Sequence, residues 1–327
     1  MTMNANLSQF LGTSGVPRDL ALVLLAACRG GVRISRALRG AGLSGVTGAT
    51  GDTNVQGEVV KKMDVLANEI LVEIFRESGG VALVASEEME KPLAVAPGAS
   101  YNVLFDPLDG SSNVDTGGSV GSIFSVQRAG GSDGSGWESL LQKGSTQAAA
   151  AYLNYGPATT LVLTVGSGTH LFCLDAAGED FVLTAPSLRI PERGKIYATN
   201  EGQRAYYHPG TRRFLEHLQT PDKTEGRPYS TRYSGCLVTD VHRILLEGGI
   251  YLYPADTRDP QKPHGKLRLL YECAPMAMMV EQAGGKASTG SGPIGEVQPS
   301  EIHQRVPLYI GSPREVTLAE EFEAGKR

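Results

Sequence analysis

Two short apolar runs in this chain each end in a pair of acids, and that arrangement limits the possible fold more than any other feature. Val81-Ala82-Leu83-Val84 leads to Glu87-Glu88. Tyr101-Asn102-Val103-Leu104-Phe105 leads to Asp106-Pro107-Leu108-Asp109 and then to Gly110-Ser111-Ser112. Both runs have the length and β-rich composition of buried strands, which predicts strands over 81–85 and 101–105. Two such strand ends side by side gather four carboxylates, and withdrawing each from water costs on the order of several kcal/mol unless a cation neutralises it. Hard oxygen donors select Mg2+ or Mn2+ over thiophilic metals. Pro107 fixes φ between the aspartates and lacks an N–H, so it turns their side chains and the Leu108 carbonyl toward one point. Gly110 admits close approach of a ligand, and Ser111 and Ser112 add hydroxyl and N–H donors suited to a phosphate.

Taken singly these words carry little. A Glu-Glu pair is ordinarily a solvated surface feature, and Asp-x-x-Asp-Gly is ordinarily a turn. A calcium loop is excluded, because the third and fifth loop positions counted from Asp106 carry no acid. The combination is what points to a joint metal and phosphate site, with Asp106 placed 18 positions after Glu88, room for a loop and a returning strand.

Ser86-Glu87-Glu88 and Asp106 through Ser112 resemble the signature of metal-dependent, lithium-sensitive sugar and inositol phosphatases. Four further words narrow that resemblance: Asn54 through Asp64, Asn200-Glu201-Gly202, Gly265 through Glu272, and Pro275-Met276 followed by Gly284-Gly285. Together they resemble class I fructose-1,6-bisphosphatase from about residue 12 to about residue 315. The resemblance implies an α/β (α+β) layered sugar-phosphatase fold, two mixed-sheet domains (1–193 and 194–327) with helices packed between and around the sheets. It implies Mg2+-dependent hydrolysis of the 1-phosphate of fructose 1,6-bisphosphate. It also implies that Glu58, Glu87, Asp106, Asp109, Glu272 and the Leu108 carbonyl hold two or three Mg2+ ions, with Mn2+ as an alternative. Glu58 stands where the family commonly has aspartate. Asp64 and Glu88 match the pair that orients and deprotonates the attacking water; from the residues alone, Asp64 reads equally well as part of a solvated helix face, Lys61-Lys62-Met63-Asp64.

Substrate contacts implied by the resemblance are Asp109, Gly110, Ser111, Ser112, Asn200, Arg232, Tyr233, Tyr253, Lys266 and Arg268, with Arg232 reaching the neighbouring subunit's site in a homotetramer. A planar guanidinium suits a distant phosphate because it can make two charge-assisted bonds. Without the resemblance, Arg232-Tyr233 reads as a snorkelling surface pair, and Lys266 and Arg268 as alternate residues on the wet face of one strand. Gln203 stands where the family often has tyrosine, with Tyr206 and Tyr207 nearby, and the segment from Ala255 to Gly265 is longer than its usual counterpart. The residues corresponding to the animal enzymes' nucleotide-inhibitor site are Ser14-Gly15-Val16, Ser100-Tyr101 and Arg128, which predicts weak inhibition by AMP. Residues 129–145 contain no cysteine, so no thioredoxin-type switch is expected there. Val114-Asp115-Thr116 and Gly168-Thr169-His170 resemble the sedoheptulose-1,7-bisphosphatase branch, the second reading. A non-catalytic sugar-phosphate sensor is the third, disfavoured by the complete acid set.

Composition agrees with an ordinary two-domain enzyme: 327 residues, 41% hydrophobic and 20% charged. A net charge of -5 argues against nucleic acid. Leu20 to Cys28, the longest apolar stretch, is too short to cross a bilayer, and no secretory pattern opens the chain, so a cytoplasmic protein that does not engage membranes is expected. Cys28, Cys173, Cys236 and Cys273 lack C-x-x-C spacing and read as reduced, mostly buried thiols. Helices are predicted over 17–40, 59–78, 211–218 and 238–247 and from Pro275 to a cap at Gly284. Further strands are predicted over 120–128, 147–155, 159–165, 169–174, 179–183, 195–199 and 249–253. Ala129 to Gly136 reads as a Gly/Ser-rich hairpin connection, and Gly284 to Ser300 as a surface loop.

Overall fold

Strands apolar on both faces require helices on both faces, and the chain provides them in alternation. The computed structural model describes residues 4–53, 59–130, 136–259 and 264–327. The first half contains α1 (Leu7–Thr13), α2 (Arg18–Ser44), β1 (Ala49–Thr53), β2 (Val59–Lys61), α3 (Lys62–Ser78), β3 (Val81–Ser86), β4 (Leu93–Ala94), β5 (Tyr101–Asp109), β6 (Val120–Arg128), β7 (Ala149–Tyr155), β8 (Thr159–Thr164), β9 (Thr169–Leu174) and β10 (Phe181–Leu188). The second contains β11 (Ile196–Ala198), α4 (Pro209–Gln219), β12 (Ser230–Thr231), α5 (Leu237–Glu247), β13 (Ile250–Tyr253), α6 (Ala274–Gln282), β14 (Lys286–Ser288), β15 (Leu308–Gly311) and α7 (Pro313–Glu323).

Among the described residues, eight strands form one sheet in the order β10-β9-β8-β7-β6-β5-β3-β4, and five form a second in the order β12-β11-β13-β15-β14. The large sheet is antiparallel except where β3 runs parallel to β5. Its side chains alternate between two cores. Ala149, Ala151 and Leu153 of β7 join Phe124 and Val126 of β6 under α1, α2 and α3, whereas Ala150, Tyr152 and Ile123 face the other way. On the first face Phe75 lies 5.7 Å from Phe105 and 6.3 Å from Phe124, ring to ring. Full burial of each such ring contributes roughly 1.5–3 kcal/mol. On the second face α5 and α6 are sandwiched between the sheets, with Val238, Val241, Met276 and Val280 in one core with Tyr152, Tyr251 and Ile310. Helices α4 and α7 cover the far side of the small sheet through Phe214, Leu218, Val316 and Phe322. The result is a helix–sheet–helix–sheet–helix stack, the layered α/β architecture expected. No helix among the described residues is long and apolar enough to cross a membrane.

Several element boundaries differ from expectation for physical reasons. The predicted helix over 59–78 divides: β-branched Val59 and Val60 belong to β2, which pairs with β1, and the helix starts at Lys62. Asp64 fixes that start by accepting the Lys61 N–H at Oδ2, 3.1 Å away. Helix α2 passes Gly40 and ends only where Gly45 takes φ 73°. The stretch from Gly284 to Ser300 is no simple surface loop, because it supplies β14 and buries Ala287 and Ile294 completely. Cys28, Cys236 and Cys273 are buried free thiols and Cys173 is partly buried. Glu58, most of the 129–136 connection and residues 260–263 of the segment before Gly265 lie outside the described residues.

Candidate metal and phosphate site

Side chains three apart on a regular strand point to opposite faces, so Asp106 and Asp109 should diverge. A β-bulge prevents it. Strand β5 does not stop at Phe105 as expected but runs through both acids; Asp106 pairs with Ile123 and Asp109 with Gly121, so three steps on β5 oppose two on β6. The extra residue brings Asp109 back to the side of Asp106. Pro107 suits a bulge because no ladder N–H is demanded of it. Its carbonyl accepts the Ser122 hydroxyl at 2.7 Å, and the Leu108 N–H donates to Asp106 Oδ1 at 2.9 Å.

Parallel pairing of β3 with β5 brings in the other acidic pair. Ser86 lies opposite Phe105, and the Glu87 N–H donates to the Phe105 carbonyl at 3.0 Å, so Glu87 leaves the sheet at the same edge as Asp106. Glu272 comes from the layer between the sheets, on a π-helical turn, Leu269–Cys273, that leads into α6. One carboxylate oxygen from each of Asp106, Asp109 and Glu272 lies within 4.8 Å of the others, and all three residues are buried.

Burial and mutual repulsion dominate the electrostatics. Desolvation, reinforced by Glu87 and Asp109, pushes the Asp106 carboxyl well above the usual range, and burial does the same for Glu272 with Glu87 close by. Asp109 is raised by burial, opposed by hydrogen bonds from Cys236, Val238 and Leu237. A protein cation answers part of this charge. Arg268, 4% exposed at its side chain, ion-pairs with Glu87, and its backbone N–H donates to Glu272 Oε2 at 2.6 Å. The expectation that Arg268 shares a wet strand face with Lys266 is therefore corrected. Lys266 is exposed and Arg268 is inside, because this segment is no regular strand but a connection held by the single bridge Arg268–Arg305.

Asp64 is buried at the start of α3, not part of a solvated face. Desolvation pushes its carboxyl up to about 7 against the Lys61 N–H and a hydrogen bond from Ser111, with Glu87 adding to the rise. Asp64, Glu87 and the turn that follows Asp109 thus adjoin one another. That turn begins at Gly110, φ 74°, and continues as a short 3-10 helix, Ser111–Thr116, with Ser111 half-buried and Ser112 exposed. Glu88 is half-buried beside Glu87, its N–H directed at Ser86 Oγ, 3.3 Å away.

The remaining sugar-binding candidates lie in the second half. Asn200 heads the turn Glu201–Tyr206 and accepts the Gly202 N–H at 3.1 Å. Tyr207 is buried, with its hydroxyl 2.9 Å from the Asn200 carbonyl, so it supports that turn from inside while Tyr206 is exposed. The Tyr207–Asp256 bridge joins this turn to the chain leaving β13, where Tyr253 is half-buried. Arg232 and Tyr233 are both exposed on the loop between β12 and α5. Sequence reasoning overlooked three supports: Ser122 under Pro107, Asp240, which accepts the Ser234 N–H at 2.9 and 3.1 Å, and Cys236 beside Asp109. The odd spacing of Asp106 and Asp109 around a proline is a signal for the bulge; nothing local signals Cys236.

Comparison with known proteins is consistent along the whole chain. Residues 6–186 match the family described as fructose-1-6-bisphosphatase, N-terminal domain, and residues 190–324 match its C-terminal domain. A class 1 fructose-1,6-bisphosphatase of Thermosynechococcus vestitus is 47% identical over 321 residues, covering 97% of this chain and 90% of the relative. One from Synechocystis is 46% identical over 327 residues, covering 98% and 92%. The crystal structure of Leishmania major fructose-1,6-bisphosphatase in holo form superposes with a TM-score of 0.92 at 38% identity, covering 99% of this chain and 100% of that one. With both halves matched in order and relatives nearly half identical over almost its full length, this chain belongs to the class 1 fructose-1,6-bisphosphatase family.

Proposed function

We propose that the chain removes the 1-phosphate of fructose 1,6-bisphosphate, releasing fructose 6-phosphate and phosphate. The observation that carries this reading is the meeting of Asp106, Asp109 and Glu272 within 4.8 Å at the mouth of the Gly110–Ser112 turn. The family is metal-dependent, and the donor set fits a hard divalent cation: buried carboxylates that repel one another, with no sulfur or imidazole among the three. Glu87 and the Leu108 carbonyl would complete the set from the described residues, with Glu58 added from the sequence. Bound there, two or three Mg2+ ions, or Mn2+ in their place, would supply Lewis-acid neutralisation of the phosphoryl oxygens.

The chain's own groups divide the remaining work. Gly110, Ser111 and Ser112 hold the reacting phosphate with N–H and hydroxyl donors, as their turn geometry allows. Asp64, buried at the start of α3 with its carboxyl raised by desolvation, takes the proton from the attacking water, with Glu88 orienting that water. Arg268 neutralises Glu87 and steers Glu272 through its N–H. Asn200, Tyr253 and Lys266 hold the sugar and its distant phosphate. Arg232 and Tyr233, exposed on their loop, reach a neighbouring copy in a homotetramer. A division into domains at 193/194 is supported by the last strand of the large sheet ending at Leu188 and the first of the small sheet beginning at Ile196. Phosphate release from fructose 1,6-bisphosphate and sedoheptulose 1,7-bisphosphate at matched Mg2+ tests the proposal. Phosphate release from the six-carbon substrate, and preference for it, are expected; release from the seven-carbon substrate alone, or from neither, would overturn the proposal.

A further inference from the structure

Asp109 is held by more than strand β5. Its Oδ2 receives the Val238 N–H at 2.6 Å and the Cys236 thiol at 3.0 Å, while Oδ1 receives the Leu237 N–H at 3.2 Å. All three donors come from the N-cap and first turn of α5, a helix that packs between the sheets. Two glycines make room for that turn. A Cβ on Gly110 would lie 2.6 Å from the Cys236 Cβ, and one on Gly121 would lie 2.5 Å from Val238. The thiol's orientation is also defined, since the Thr239 N–H donates to Sγ at 3.4 Å and leaves the thiol hydrogen for Asp109.

We infer that Cys236 is a positioning residue for the metal centre, its thiol orienting the Asp109 carboxylate for a divalent cation; this rests on the reading of Asp109 as a metal ligand. A carboxylate free to rotate offers several coordination directions, and donors fixed on both of its oxygens remove most of them. Removing an outer partner of a metal ligand ordinarily weakens affinity about ten- to a hundredfold. Two backbone donors remain on Asp109, so the low end of that range applies to Cys236. Serine keeps an O–H donor at the same place, and alanine does not.

The test is Mn2+ binding to metal-stripped full-length protein, followed by electron paramagnetic resonance, for Cys236→Ala and Cys236→Ser, with folding checked by circular dichroism in chelator. Cys236→Ala is expected to raise the Mn2+ Kd about tenfold and the half-saturating Mg2+ concentration in parallel, with kcat at saturating Mg2+ within about twofold of the parent. Cys236→Ser is expected to bind Mn2+ within about twofold of the parent, a criterion that stands even if the alanine variant fails to fold. Unchanged binding in Cys236→Ala, or equal loss in the serine variant, overturns the inference. If Asp106→Asn and Asp109→Asn also bind Mn2+ as the parent does, the underlying assignment of the metal ligands fails instead.

Discussion

Asp64 is an acid kept at a site that penalises its charge, and that makes a quantitative prediction. Its carboxyl is raised from 3.8 to about 7, chiefly by burial. A little over three pH units at about 1.4 kcal/mol each is about 4 kcal/mol of stability lost to ionising it in the folded, metal-stripped protein. A raised carboxyl binds its proton more tightly when folded, so the loss is absent below pH 3.8, grows as pH rises, and is complete above about 7. Asp64→Asn keeps the oxygen that caps the Lys61 N–H and removes the charge. In chelator, urea unfolding should show the variant more stable than the parent by about 4 kcal/mol at pH 8, with the gap narrowing by pH 5. Turnover at saturating Mg2+ should fall by about two to four orders of magnitude, because a general base is lost. A stability gap that is absent at pH 8, or that does not shrink toward pH 5, would refute the assignment of desolvation as the cause.

Gly110→Ala should destabilise by about 2–5 kcal/mol, adding a left-handed backbone penalty of about 1–2 to an overpacking cost of about 1–3 against Cys236. Gly117→Ala, at φ 70° with open space around its Cβ, should show only the backbone part, and equal losses in the two variants would refute the steric argument. His242 is lowered to about 4 by burial and lies 2.8 Å from the Tyr152 hydroxyl. It therefore costs stability as pH falls from 6.5 toward 4, roughly 3 kcal/mol in all. Denaturation of His242→Gln should show a shallower acid limb than the parent, and parallel limbs would count against it. AMP should inhibit weakly: the Asp19 carboxyl is held low chiefly by the Ser100 hydroxyl, and the Arg128 guanidinium sits 5.7 Å over the Tyr101 ring. Inhibition by micromolar AMP in a phosphate-release assay would contradict this.

Legibility in the sequence follows how local each determinant is. Strands β3, β6, β8 and β9 are readable because their runs are rich in β-branched and other apolar residues and bounded by turn residues. The strands β4, β12 and β14 span two, two and three residues, too few for any periodicity, and they exist because a neighbouring strand is already in place. The acidic words are local, so their chemistry is readable; their convergence is not, since it depends on a bulge that only the pairing of β5 with β6 defines.

Arg268 marks the limit of period-based reading. Alternation places a residue on a face only if the segment is a strand, and the segment before Glu272 is instead a connection entering a π-helical turn. In that geometry the backbone N–H of Arg268 turns back on the carboxylate four residues later, while its guanidinium reaches Glu87, from another sheet strand's end. Arg268 is thereby placed where a strand assignment excludes it, among the acids. The same reasoning covers Asp109 and Cys236, which are 127 positions apart and meet only because Gly110 and Gly121 let α5 seat its first turn on the sheet. A metal centre made of local words is therefore shaped by non-local contacts: the words determine which atoms are present, and the packing of α5 and the π turn determines where those atoms point.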